Sequence, residues 1–491
     1  MRHTVMLMDD GPVEIDFCWP RSSERVEILT SVSSLLSAAL EQVAYNEVAP
    51  RCDRADVQAA VASFDFNTPL DLTGASRRVI QLLSVGMVHT THPAYFGLFN
   101  PTPTFPGIVA DLITAHFNPQ LAVWSHAPIP VEIELRVIAE LAKQFGWPEG
   151  LAAGHFTSGG AEANHSALLL ALTRDTPGFA GEGSHAFTRR PCIYASEDSH
   201  LAWLKIAHAV GIGRESLRLI PTDGQGRMNA DLLRSAIELD AAEGRQPVFI
   251  AATAGTTNAG MIDPLNQCAD IARFFGLWLH VDAAWGGAIA ILPEDRSALA
   301  GIELADSITV DAHKWFSVPM GAGILLCRHA SCLADTFHVS ASYMPSGVDS
   351  VDPYTHSMQW SRRFIGLKLF LSLACMGWEG YRRLLRQALK NTELLQQGLC
   401  ESGWRVVNDS PLAVLCFVHA DETLDLTQIS TQVADVGRAW ISVARFQGRS
   451  VLRACATSHL TGPEHVDRLV SALNDARRAP SSSHVDRPLK S

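Results

Sequence analysis

Short, unbroken apolar runs recur through the middle of the chain, at 191–196, 247–254, 277–282, 307–310 and 322–327. Between them, at 161–173, 201–210 and 264–275, apolar residues fall at helical spacing. A strand that is apolar on both sides must be covered on both faces, and helices threaded between such strands supply the cover. The alternation from about 150 to 328 therefore predicts an α/β domain built on a mainly parallel sheet. Residues up to about 90 read as amphipathic helix, as in 26–43, with no strand of their own. They are expected to pack on the body or on a second subunit. Beyond a long helix starting at Leu367, apolar runs at 413–417 and 451–455 and a helical stretch at 465–476 predict a smaller C-terminal α+β part. The implied division is a helical segment 1–90, a large domain 91–380, a small domain 381–478 and a disordered tail 479–491.

At 491 residues the chain can bury a large core. Its net charge of −12 argues against a nucleic-acid partner, which would need basic patches. The ten cysteines are scattered without CxxC spacing, and they read as reduced thiols rather than a disulfide frame or metal site. Carboxylates at Asp9 and Asp10 interrupt the region where a signal peptide would be apolar, and no apolar stretch has the length of a membrane span. The expected compartment is the cytoplasm, with no membrane partner.

Chemistry enters at the strand ends. The run Leu277-Trp278-Leu279-His280-Val281-Asp282 ends in a carboxylate, and Ser307-Ile308-Thr309-Val310-Asp311-Ala312-His313-Lys314 ends in an amine. Ligands of parallel sheets sit beyond the carboxyl ends of the strands, so Asp282 and Lys314 fall on one rim. A lysine there suits a Schiff base with the aldehyde of pyridoxal phosphate, and the carboxylate suits the pyridine nitrogen. Three further turns carry polar groups to the same rim. Thr157-Ser158-Gly159-Gly160-Ala161 opens a helix, either as a plain cap or as a phosphate cradle. His200 follows the 191–196 run and either stacks on a ring or makes local hydrogen bonds. Ala254-Gly255-Thr256-Thr257 is either turn chemistry or a hydroxyl for the ligand.

Several motifs in order make the chain resemble the group II pyridoxal phosphate-dependent amino-acid decarboxylases, over about 87–470. They are His92-Pro93-Ala94-Tyr95-Phe96-Gly97; Trp124 with Pro128, Glu132 and Glu134; Ala252-Thr253-Ala254-Gly255-Thr256-Thr257; His280 to Gly287; and Ser307-Ile308 to Lys314. The resemblance implies the aspartate-aminotransferase-like fold (fold type I), a homodimer with its site at the subunit interface, and α-decarboxylation of an L-amino acid. It implies that Lys314 binds the cofactor aldehyde, Asp282 pairs with the ring nitrogen, Ala284 packs on the ring and His200 stacks on the other face. It further implies that Gly160, Ala161 and His313 serve the phosphate, Thr257 lies near O3′, and Tyr343, on a mobile loop, protonates Cα. A tyrosine rather than a phenylalanine at 343 favours simple decarboxylation over aldehyde synthesis; other reactions of the fold, such as transamination or retro-aldol cleavage, and a non-catalytic cofactor-binding protein are the rivals.

Departures from the family pattern bear on the substrate. Asp311-Ala312 replaces the usual Asn-Pro before His313, and a carboxylate beside a phosphate would repel it unless it faces elsewhere. Leu98 and Ala122 stand where aromatic-specific members carry aromatics, while Phe99 and Phe105 remain; Arg453 is a candidate partner for a carboxylate. Aromatic amino acids are the first expectation and aliphatic ones the second.

Overall fold

The structure, a computed structural model, describes residues 19–339, 351–421 and 423–478. Residues up to His89 form one compact unit and those from Thr90 onward a second. The first holds helices α1 (Ser22–Val43), α2 (Arg54–Ala62) and α3 (Leu72–Val85). Asp53 and Asp71 cap α2 and α3 by accepting the amides of Ala55 and Gly74. The amphipathic pattern leaves Val26, Leu29, Leu36 and Leu40 of α1 and Leu83 of α3 exposed.

In the second unit α4 (Phe105–Phe117) and α5 (Pro128–Gln144) precede β1 (Ala153–Thr157) and α6 (Gly160–Asp175). Five apolar runs then become β2 (Pro191–Ser196), β4 (Gln246–Thr253), β5 (Trp278–Asp282), β6 (Ser307–Asp311) and β7 (Gly323–Cys327), while β3 (Leu217–Ile220), like β1, is a strand the sequence pattern misses. These seven strands form one sheet in the order β1-β7-β6-β5-β4-β2-β3. The expected mainly parallel α/β sheet is there: β3, β2, β4, β5 and β6 run parallel. β7 runs against both β6 and β1. Its link to β6, 312–322, is shorter than the dozen or so residues that a parallel crossover needs.

The helix Leu367–Glu401 bends at Gly377, whose φ of 62° is left-handed backbone that glycine adopts without strain. It leads to the smaller antiparallel sheet of β8 (Trp404–Val406), β9 (Val414–His419), β10 (Ser442–Phe446) and β11 (Arg449–Cys455), in the order β10-β11-β9-β8. The sequence pattern misses β8 and β10. β8 is only three residues long, and β10 carries two exposed residues among its five. No helix among the described residues is long and apolar enough to cross a membrane.

One buried ion pair ties these parts together behind the rim. Glu134 of α5 meets Arg362 at 2.5 Å and also accepts the amides of Ile365 and Gly366, just before the long helix. Arg362 donates in turn to the carbonyl of Phe156 in β1, the strand that delivers the turn into α6. Burial pushes the Glu134 carboxyl up, while Arg362 and the two amides pull it down. Breaking such a pair from one side leaves an uncompensated buried charge. Arg362→Leu should therefore cost about 3–5 kcal/mol of folding stability by chemical denaturation; a loss below about 1 kcal/mol would show the pair to be dispensable.

Candidate active site

Register sets the rim. β4 and β5 pair with Thr253 beside Asp282, and β5 and β6 pair with Asp282 beside Thr309. β6 ends at Asp311, and the amide of Lys314 closes a turn onto the Asp311 carbonyl at 3.0 Å. That turn folds the lysine back over the rim, with Nζ 3.0 Å from Asp311 Oδ2. A cavity opens here, lined by Gly160, Asn164, His200, Thr257, Asp282 and Lys314 among others.

Asp282 is only 6% exposed. Its Oδ2 accepts from Asn164 Nδ2 at 2.8 Å and its Oδ1 from the Ala284 amide at 3.2 Å. Ala284 and Ala161 line the same cavity. Gly160 must be small: a Cβ there would sit 3.0 Å from Asp311 Oδ2 and 3.3 Å from Ala284 Cβ. The first amides of α6 have no earlier turn to bond to, so they remain available to a ligand. His313 is buried beside Gly159, accepts the Ala322 amide on Nδ1 and does not line the cavity; burial lowers its pKa. His200 lines the cavity and also accepts the Ala202 amide on Nδ1 at 3.2 Å, so the local bond and the place at the cavity coexist.

The substrate candidates separate. Phe99 lines the cavity, stacked on Trp285 with ring centroids 4.0 Å apart. Arg453 lies behind it, its guanidinium 4.5 Å from the Phe99 ring centre and bonded to the Gly97 carbonyl at 3.0 Å. Leu98 and Phe105, the latter the first residue of α4, are 51% and 72% exposed and do not line the cavity. Tyr343 lies outside the described residues.

Sequence reasoning missed three contributors. Asn164 stands one helical turn after Gly160, and an amide on the buried face of α6 was the available signal. Asp311 does not face elsewhere; it points into the cavity. Thr253 also lines it, and its Oγ1 is buried without a partner, as is Oδ1 of Asp311.

The conserved domain described as "Pyridoxal-dependent decarboxylase conserved domain" matches residues 68–419. The chain belongs to this family. It is 30% identical over 404 residues to an L-2,4-diaminobutyrate decarboxylase of Rhizobium meliloti (strain 1021), covering 80% of each chain. It is 29% identical over 406 residues to an aromatic-L-amino-acid decarboxylase of Bacillus atrophaeus, covering 79% of this chain and 82% of that one. Among solved structures, mouse CSAD in apo form shares the fold with a TM-score of 0.87 at 24% identity, covering 93% of this chain and 99% of that one. Oryza sativa TDC with PLP and tryptamine gives 0.86 at 23%, covering 94% and 98%. This protein is a pyridoxal phosphate-dependent carboxy-lyase of the amino-acid decarboxylase family, with the type I fold.

The residues fit that cofactor. An amine and a donor-held carboxylate face one cavity, the small Ala284 and side-chain-free Gly160 leave room for a ring and phosphate, and the buried, unpartnered Thr253 hydroxyl awaits a polar ligand. Asp311 alone opposes it, as a negative charge beside the helix start suited to phosphate. Asp311→Asn keeps the shape and removes the charge. Titration of apoprotein with pyridoxal phosphate, read by fluorescence quenching, should show about tenfold tighter binding, or ~1.4 kcal/mol of relieved repulsion. Weaker binding would mean that Asp311 helps to hold the cofactor.

Proposed function

We propose that this enzyme removes the α-carboxylate of an L-amino acid with an apolar side chain, aromatic first and aliphatic second, releasing the amine and carbon dioxide. The observation that carries the reading is the convergence of the Lys314 amine and the buried Asp282 carboxylate on one cavity walled by Phe99 and Trp285. Bound there, pyridoxal phosphate supplies an aldehyde for an amine and a protonated ring that accepts the electrons left when carbon dioxide departs.

The chain's own residues do the rest. Lys314 anchors the cofactor and yields its place to the substrate amine. Asp282 pairs with the ring nitrogen, its carboxylate fixed in place by the Asn164 amide and the Ala284 backbone N–H. Ala284 and His200 flank the ring, Gly160, Ala161 and His313 serve the phosphate, and Thr257 lies near O3′. Tyr343 returns the proton to Cα. Phe99 and Trp285 keep water from the reacting carbon, where stray protonation would divert the reaction toward transamination.

Arg453 is the anchor for the substrate's carboxylate. It is 2% exposed, and two of its nitrogens, Nε and Nη2, have no partner. A buried cation so placed needs an anion to offset its desolvation. The working unit is a homodimer, which would cover the exposed Leu98 and Phe105 and the apolar face of α1. A second substrate reading, a short diamino acid, rests on the relative named L-2,4-diaminobutyrate decarboxylase.

A carbon dioxide-release screen of the cofactor-loaded protein against all L-amino acids, with products identified by mass spectrometry, tests the reaction and its substrate together. Amine with equimolar carbon dioxide from an aromatic or aliphatic amino acid is expected; release from diaminobutyrate alone supports the second reading, and keto acid or aldehyde without the amine refutes simple decarboxylation. Lys314→Ala should abolish the visible cofactor band, and an unchanged band would remove Lys314 from its role. Arg453→Gln should raise KM about tenfold to a hundredfold while leaving that band intact; an unchanged KM would make Arg453 purely structural.

A further inference from the structure

A buried carboxylate keeps its charge only where donors point at it. Asn164 spends its amide nitrogen on Asp282, so its carbonyl oxygen turns to His280 Nε2 at 3.0 Å. A carbonyl oxygen only accepts, which puts the His280 proton on Nε2. Nδ1 is then the acceptor, 2.8 Å from Ser307 Oγ. The Ser307 hydroxyl donates to it and itself accepts from Trp278 Nε1 at 2.8 Å. Thr309 Oγ1 stands 3.4 Å from Nε2 as a weaker second partner.

The row is dry. Asn164 is 2% exposed and His280, Ser307 and Trp278 are 0%. The imidazole stacks on Phe249 at 5.6 Å and meets Trp203 edge-on at 5.7 Å. Burial holds His280 down to about 4 despite the opposing pull of Asp282, the charged group that faces it. His280 is therefore neutral near pH 7, and its proton can sit on only one nitrogen. Each donor in the row points toward Asp282. Flipping Asn164 would set its carbonyl oxygen against the carboxylate and its N–H₂ against the His280 N–H, so the direction is locked from both ends.

We propose that Trp278, Ser307, His280 and Asn164 form a one-way hydrogen-bond row that fixes the Asp282 carboxylate and aims it at the cofactor's ring nitrogen. All four are positioning residues, and the row rests on the reading of Asp282 given above. It makes Asp282 a stronger, better-fixed partner than a carboxylate held by Asn164 alone.

The test compares Asp282→Ala, His280→Phe, His280→Gln and Ser307→Ala. Each is read for pyridoxal phosphate affinity on the apoprotein and for the pH midpoint of the bound cofactor's visible absorbance. Apoprotein melting checks folding. His280→Phe should weaken cofactor binding about tenfold and displace the midpoint, and Ser307→Ala about threefold with a displacement in the same direction. His280→Gln, whose amide can still donate to Asn164, should recover most of both. If Asp282→Ala moves affinity and midpoint while folded His280→Phe and Ser307→Ala match wild type, the row is overturned and Asp282 keeps its role. If Asp282→Ala itself changes neither, both readings fall. Should His280→Phe not fold, Ser307→Ala, which loses a single hydroxyl, decides the matter by the same criterion.

Discussion

The site hangs on the register of three parallel strands. β4, β5 and β6 set Thr253, Asp282 and Thr309 side by side, and side chains on a strand alternate faces. A slip of one residue in β5 would turn Asp282 away from the cavity and bring Val281 into its place. The register is held by what the strands bury. Trp278, Leu279 and Val281 are sealed into the core on opposite faces of β5, and Trp278 is fixed further by its bond to Ser307 at the start of β6. The same contact that orients the carboxylate thus also sets the pairing of the strand that leads to Lys314.

Much of this was legible in the sequence because it rests on local pattern. Unbroken apolar runs between helical stretches imply a covered parallel sheet, and such a sheet sends its strand ends to a common rim. That logic reached Asp282 and Lys314 and brought His200 and the 254–257 turn to the same rim with their roles open; the family resemblance picked out His200 and Thr257, and all four line one cavity. Asn164 escaped because its neighbour is not in its own segment: α6 meets β5 across the sheet face, 118 residues away. Asp311 escaped for the opposite reason. Its orientation is decided within four residues, by the turn that Lys314 closes onto its carbonyl, and period-2 alternation along a strand does not extend through a turn. β1, β3, β8 and β10 escaped because each is short, with partly or fully exposed positions breaking its apolar run.

Electrostatics divides the cavity into two carboxylates with opposite duties. Asp282 is buried, satisfied on both oxygens and backed by neutral donors, so it is held in one orientation. Asp311 sits against the mobile charge of Lys314 and keeps one oxygen buried and unpartnered. Asp311 therefore works against cofactor loading through its charge beside the phosphate cradle, and an asparagine at that position would not.

Phe99 stands where recognition of the substrate meets exclusion of water. One side of its ring lies against Trp285 on the cavity wall, and the Arg453 guanidinium is near the ring as well. A cation near an aromatic face is partly compensated, and the Gly97 carbonyl adds one hydrogen bond. That compensation is enough to keep Arg453 folded in place but leaves two donors unused. Phe99 in place, stacked on Trp285, is the seal of the cavity, and the apolar wall the two rings form is the physical reason the proposed substrate carries an apolar side chain.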